Sequence, residues 1–292
     1  MVSIPGASPE AIRHHYDISN PFYSLWLDPT LTYSAAMWEK EDTLESAQTR
    51  KIEFHIDQAR AHGARRVLDV GCGWGSVLRR LVEAHGVDKA VGLTLSSAQA
   101  EWISSMNLPN VEVLVESWSD YRPAELFDAI ISIGAFEHFA RLEFSDAQKV
   151  EAYRTFFASC RDWLRPNGRL SLQTIAYGNI RQREDVKKLP AAQFLASEIF
   201  PESDPPRLAD IAVATEGIFE IEAIRNDRKD YVRTCREWLK RLKKNRQEAI
   251  HLVGEDVFSR YERCLRLSTI GFDTGNLALL RITLHRIGST IK

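Results

Sequence analysis

Residues 67–76 read VLDVGCGWGS. A short apolar run carries Asp69 into a turn punctuated by Gly71, Gly73 and Gly75, and SVLRRLVEAHG (76–86) continues with helical spacing to a glycine stop. Glycines permit the tight turn and leave a backbone that a ligand can approach closely. The helix that follows opens with unpaired N–H groups. Strand, glycine turn and helix in that order form the first unit of an open parallel sheet, whose ligands lie beyond the carboxyl ends of its strands.

The same alternation runs on downstream. KAVGLTLS (89–96), VEVLVES (111–117), AIISIGA (129–135) and RLSLQTIAY (169–177) read as strands. Between them, SAQAEWISSMN (97–107) and DAQKVEAYRTFFASCRDWL (146–164) read as helices, the second stopped by Arg165-Pro166-Asn167-Gly168. This pattern predicts an α/β fold with a parallel sheet covered on both faces. Upstream, residues 43–62 carry Leu44, Ala47, Ile52 and Ile56 near helical spacing, with Thr43 as cap. Residues 9–27 predict two helical pieces broken near Asn20-Pro21. Residues 183–215 are polar, proline-punctuated and loosely helical. A strand at 219–227, helices at 230–250 and 257–272 and a strand at 277–287 complete the reading.

Composition narrows the class. The 292 residues are 44% hydrophobic and 27% charged, with a net charge of −2, enough for a core and without the basic excess of a nucleic-acid binder. The N-terminal residues hold no long apolar run, so the expectation is a soluble, cytoplasmic protein without a signal peptide. Cys72, Cys160, Cys235 and Cys264 form no CxxC pair, which predicts packed thiols and no metal site. The basic run KRLKKNR (240–246) reads first as a solvated helix face, with membrane contact as the lesser alternative.

The glycine spacing is GxGxG, the second strand ends Gly92-Leu93-Thr94-Leu95-Ser96 without an acid, and no Lys-Ser/Thr phosphate loop follows. That suits S-adenosyl-L-methionine, which has no phosphates. Its sulfonium is positive, so Asp69 and an aromatic face such as Trp74 would favour it, cation–π attraction contributing on the order of 0.5–2 kcal/mol.

HHYDISNPFYSLWLDPTLTYSAAMW (14–38), VLDVGCGWGS (67–76), VGLTLSSAQA (91–100), ISIGAFEHF (131–139) and EIFP (198–201) together resemble the cyclopropane fatty acid and mycolic acid synthase family of S-adenosylmethionine-dependent methyltransferases. The resemblance implies a Rossmann-like class I methyltransferase sheet (63–292), an N-terminal helical lid (1–62) and helical acceptor covers around 178–215 and 230–272. It implies cofactor contacts from Tyr33, Ser34, Asp69, Gly71, Gly73, Thr94, Leu95, Gln99, Ser117, Trp118 and Ile133. Tyr16, Tyr23, Phe136, Ile175, Tyr177 and Phe200 are expected to line an apolar acceptor pocket.

In that family an alkene takes the methyl group, and a bound bicarbonate is thought to remove the proton that lets a ring close. Residues matching Glu137, Ile175 and Tyr231 hold the bicarbonate, together with a cysteine and a histidine that are Ala35 and Gln173 here. Loss of a thiol and an imidazole removes two donors from a small-anion site, and Gln173 cannot carry charge. The expectation is therefore a site without bicarbonate. Glu137 acts as base or cation stabiliser, Gln173 and Tyr231 stand beside it, and His138 positions. The acceptor expected on these grounds is an alkene of an apolar or prenylated small molecule of secondary metabolism. A cyclopropane synthase acting on phospholipid acyl chains and a small-molecule N-methyltransferase are the alternatives. Homo-oligomerisation stays open.

Overall fold

The computed structural model describes residues 6, 8, 10, 18–180 and 186–288. Seven strands form one sheet: β1 (Arg66–Val70), β2 (Lys89–Thr94), β3 (Val111–Val115), β4 (Phe127–Ile133), β5 (Leu164–Tyr177), β6 (Phe219–Asn226) and β7 (Leu277–Arg286). Their order across the sheet is β3-β2-β1-β4-β5-β7-β6. β1 to β5 run parallel, and β7 inserts antiparallel between β5 and β6. The chain therefore reverses direction across the sheet at β1, flanked by β2 and β4, which makes the carboxyl tips of these strands the switch point.

Side chains alternate between the two faces of each strand. Leu68, Ile130 and Leu172 pack on one face with Phe156 and Phe157 of α5 (Asp146–Trp163) and Ile211 of α7 (Leu208–Thr215). Val67, Ala129 and Ile131 pack on the other face. There they meet Ile52 and Ile56 of α2 (Leu44–Ala59) and Leu78 and Leu81 of α3 (Ser76–Ala84), with Ile103 of α4 (Ser97–Ser105). Asp69 has the parity of Val67 and so belongs to the face that α2 covers.

A third cluster stands beyond the strand tips. Phe22 and Tyr23 of α1 (Asn20–Ser24), with Trp26 and Trp74, pack against Trp238 of α8 (Arg228–Lys244) and Tyr261 of α9 (Arg246–Thr274). α1 thereby packs on elements more than two hundred residues away in sequence. α2 starts at a reciprocal cap, Thr43 accepting from the Ser46 N–H and Ser46 from that of Thr43.

The C-terminal helices differ from the spacing-based reading. α8 stops at Lys244 and α9 begins at once, because Asn245 leaves helical geometry and its carbonyl accepts from the Ala249 N–H. Gly254 (φ 81°, ψ 163°) then kinks α9. Between 183 and 215 the described residues form α6 (Pro190–Phe194), a single π turn (Leu195–Ile199) and α7. All four cysteines are free and buried. No helix among the described residues is long and apolar enough to cross a membrane.

Candidate active site

A cavity of about 600 Å³ opens over the tips of β1, β2 and β4. Tyr33, Ser34, Asp69, Gly71, Gly73, Thr94, Leu95, Gln99, Ser117, Trp118 and Ile133 all line it. The turn after β1 is pinned because the N–H groups of Gly71 and Cys72 both donate to the Leu93 carbonyl at 3.0 Å. Gly71 sits at φ 80°, and a Cβ there would lie 2.4 Å from the Cβ of Ala135. At Gly73 (φ 54°) a Cβ would meet no protein atom within 4 Å, so glycine leaves the cavity floor open.

At the tip of β2, where a dinucleotide site would place an acid, the Thr94 hydroxyl donates to Gln99 Oε1 at 2.7 Å. Trp118 packs between Phe139 and Phe156. The indole N–H of Trp74 donates to Asn20 Oδ1 at 2.9 Å, tying α1 to the glycine turn. Gln48 of α2 donates to the carbonyls of Thr32 and Ser34, fixing the segment that carries Tyr33 and Ser34. Asp69 is 1% exposed, its Oδ2 has no hydrogen-bond partner, and burial pushes its carboxyl up to about 7. A glycine-rich turn, a buried acid and the absence of a phosphate-holding lysine loop fit S-adenosylmethionine.

A second cavity of about 560 Å³ lies beyond the first, and Tyr33, Ser34, Gly134 and His138 line both. Glu137, His138, Gln173, Ile175, Tyr177, Phe200 and Tyr231 line this second space. Glu137 lies in a short 3-10 turn (Phe136–His138) directly after β4. The Thr174 hydroxyl donates to Glu137 Oε2 at 2.9 Å, and burial raises the carboxyl to about 7 against the pull of that bond and of backbone N–H groups, Ile175 among them. His138 shares a 2.6 Å hydrogen bond with Ser203 Oγ, and burial lowers its imidazole to about 4, so it is neutral at pH 7.

Gln173 is committed elsewhere at one atom. Its Oε1 accepts from Arg281 Nε at 2.9 Å and lies 3.4 Å from His55 Nε2. Arg281 also donates to the carbonyls of Ala35 and Ala36 and pairs with Asp227. Ala35 is fully buried and lines neither cavity. The Tyr231 ring lies 4.4 Å from that of Phe272, centroid to centroid.

Two expected acceptor residues stand elsewhere. Tyr23 is fully buried in the aromatic cluster, its hydroxyl 2.8 Å from that of Tyr261, and Phe136 stacks on Tyr153 in the sheet core. Neither lines either of these two cavities, because both rings are consumed by packing. Tyr16 lies outside the described residues. The sequence reading missed Lys51, Thr174, Arg281 and Asp204. Lys51 shares a helical face with Ala47 and His55, a position where a charge is anomalous. Asp204 lies in the proline-punctuated segment ESDPP (202–206), pairs with Lys149, sits 3.1 Å from Lys187 and accepts from the Tyr177 hydroxyl at 2.6 Å.

The family model described as mycolic acid cyclopropane synthetase matches residues 6–282. The cyclopropane mycolic acid synthase MmaA2 of Mycobacterium tuberculosis is 36% identical over 282 residues, covering 90% of this chain and 93% of the relative. The hydroxymycolate synthase MmaA4 of the same organism is 34% identical, covering 88% of this chain and 86% of the relative. Among solved structures, the cyclopropane synthase MmaA2 superposes with a TM-score of 0.86 at 33% identity, covering 96% of this chain and 99% of that one. The mycolic acid cyclopropane synthase CmaA1, complexed with SAH and CTAB, gives 0.85 at 31% identity, covering 96% and 99%. Coclaurine N-methyltransferase, at 20% identity and TM-score 0.82 (98% of this chain, 84% of that one), shares the fold.

These relatives overturn the expectation of a prenylated small-molecule acceptor, since cyclopropane mycolic acid synthases side with the alternative of a cyclopropane synthase. The cofactor is S-adenosylmethionine and the enzyme a methyltransferase. The chain belongs to the mycolic acid cyclopropane synthetase family.

Proposed function

We propose that this enzyme transfers a methyl group to an isolated alkene of a long acyl chain and closes a cyclopropane ring. The observation that carries the reading is the junction of two cavities at Tyr33, Ser34, Gly134 and His138, with Glu137 buried on the acceptor side. Bound S-adenosylmethionine supplies an electrophilic methyl group at that junction.

The second cavity is lined by Leu195, Ala196, Leu265, Leu277 and Leu279, an apolar surface suited to a hydrocarbon acceptor. The alkene π pair forms the new C–C bond as the C–S bond breaks, and the neighbouring carbon becomes cationic. The Glu137 carboxylate lowers the energy of that charge. It then takes a proton from the newly attached methyl, and the freed C–H pair closes the ring. Thr174 orients the carboxylate, and neutral His138, held by Ser203, does not compete as a cation. Ala35 and Gln173 contribute neither thiol nor imidazole, Asp204 is held by Lys149, and Glu137 is the lining carboxylate beside the junction with the first cavity.

The test offers lipids bearing one cis-alkene to the purified enzyme and reads the products by mass spectrometry. A product heavier by one CH₂ and without an alkene supports the reading; turnover confined to small prenylated acceptors contradicts it. Glu137→Gln is expected to keep cofactor binding and lose ring formation.

A further inference from the structure

Lys51 is 1% exposed on the sheet-facing side of α2, yet its side chain reaches the first cavity. Its Nζ donates to Ser34 Oγ at 2.9 Å. Among the described residues no carboxylate stands within ion-pair distance of it, and Asp69, on the facing strand β1, likewise has Oδ2 without a partner. An isolated buried ammonium and an isolated buried carboxylate are each costly, and the cost is offset when a ligand brings the opposite charge. Burial and the nearby Arg281 hold the Lys51 ammonium down to about 7, while Asp28 and Asp69 oppose that shift.

The two groups line one cavity and carry opposite formal charge, so the ligand group that satisfies both is a zwitterion. The methionine end of the cofactor is an α-amino acid with one carboxylate and one ammonium. Gln48 fixes the backbone of Ser34 from the same helix, one turn before Lys51, so anchor and partner are positioned by a single element.

We propose that Lys51, with the Ser34 hydroxyl, anchors the carboxylate of the cofactor's methionine moiety, and that Asp69 receives the ammonium. The assignment rests on the cofactor alone and is independent of the acceptor. It makes Lys51 the residue that distinguishes the intact cofactor from fragments lacking the amino acid.

Calorimetry with S-adenosylhomocysteine and with 5′-methylthioadenosine, which shares the nucleoside and sulfur but lacks the amino acid, tests it. Lys51→Met is expected to weaken S-adenosylhomocysteine at least tenfold and to leave methylthioadenosine within twofold. The wild-type protein supplies a second arm that needs no variant: the carboxamide of S-adenosylhomocysteine, uncharged at that end, is expected to bind at least tenfold more weakly than the acid. Equal losses for both ligands in Lys51→Met, or equal affinity of wild type for acid and carboxamide, would overturn the proposal.

Discussion

Glu137 sits where two requirements collide: a base must be ionised, and a carboxyl among apolar side chains resists ionisation. Burial raises it to about 7 while the Thr174 hydroxyl and backbone N–H groups limit the rise. Methyl transfer with ring closure is therefore expected to gain rate as pH rises through about 7. Thr174→Val removes a bond that favours the charged form, so the same limb moves to higher pH; a pH–rate profile on both proteins checks this, and an unmoved limb contradicts it. The effect on stability has the opposite sense. Between the ordinary carboxyl range and about 7 the folded protein keeps a proton that the unfolded chain has released, so stability is lost as pH rises through that window. Glu137→Gln is predicted to be more stable than wild type at pH 8, by at most about 3 kcal/mol, and to match it below pH 5. Urea unfolding at the two pH values measures the gap. Glu137 was legible in sequence because it follows an apolar strand, but its hydroxyl partner was not: Thr174 is an ordinary strand residue until β5 lies beside β4.

At the scale of elements, the glycine turn after β1 and the buried arginine of β7 do different jobs. Gly71→Ala would place a methyl 2.4 Å from Ala135 at φ 80°, so the turn must shift where it supports the cofactor. The expected result is at least a tenfold loss of S-adenosylhomocysteine affinity by calorimetry. Arg281 joins β7 to Gln173 of β5 and to the carbonyls of Ala35 and Ala36. Arg281→Met strips Asp227 of its buried partner and leaves those carbonyls without a donor, a loss of about 3–5 kcal/mol by chemical unfolding. Sequence pattern located all seven strands, most of them short apolar runs bounded by turn residues, but β5 begins at Leu164 and takes in the Arg165-Pro166-Asn167-Gly168 stretch that reads as a turn. The pattern did not locate the break between α8 and α9, because Asn245 lies in a charged run with no proline or glycine to announce it. The Arg281 link was equally hidden, a cation in an apolar strand whose partners come from three distant segments.

For the whole molecule, function follows from where two cavities meet. The first is built from consecutive strand–turn units, so its lining residues could be named from local motifs. The second draws on residues from Tyr33 through Leu279, contributed by the segment before α2, the turn after β4, β5, the α6 region, α8, α9 and β7. No local pattern reveals such a surface, which is why Tyr23 and Phe136 were assigned to it and Asp204 was not. Ser268 lines the second cavity alone, so Ser268→Trp is predicted to abolish turnover of long acyl chains while leaving S-adenosylhomocysteine affinity within about twofold. The most direct test of the central claim follows the transferred carbon itself. With a cofactor whose methyl carries three deuterium atoms and a lipid with one cis-alkene, the account predicts a ring carbon that retains two of them, the third having left as a deuteron through Glu137. A product that keeps all three deuterium atoms, as a methyl branch would, contradicts it.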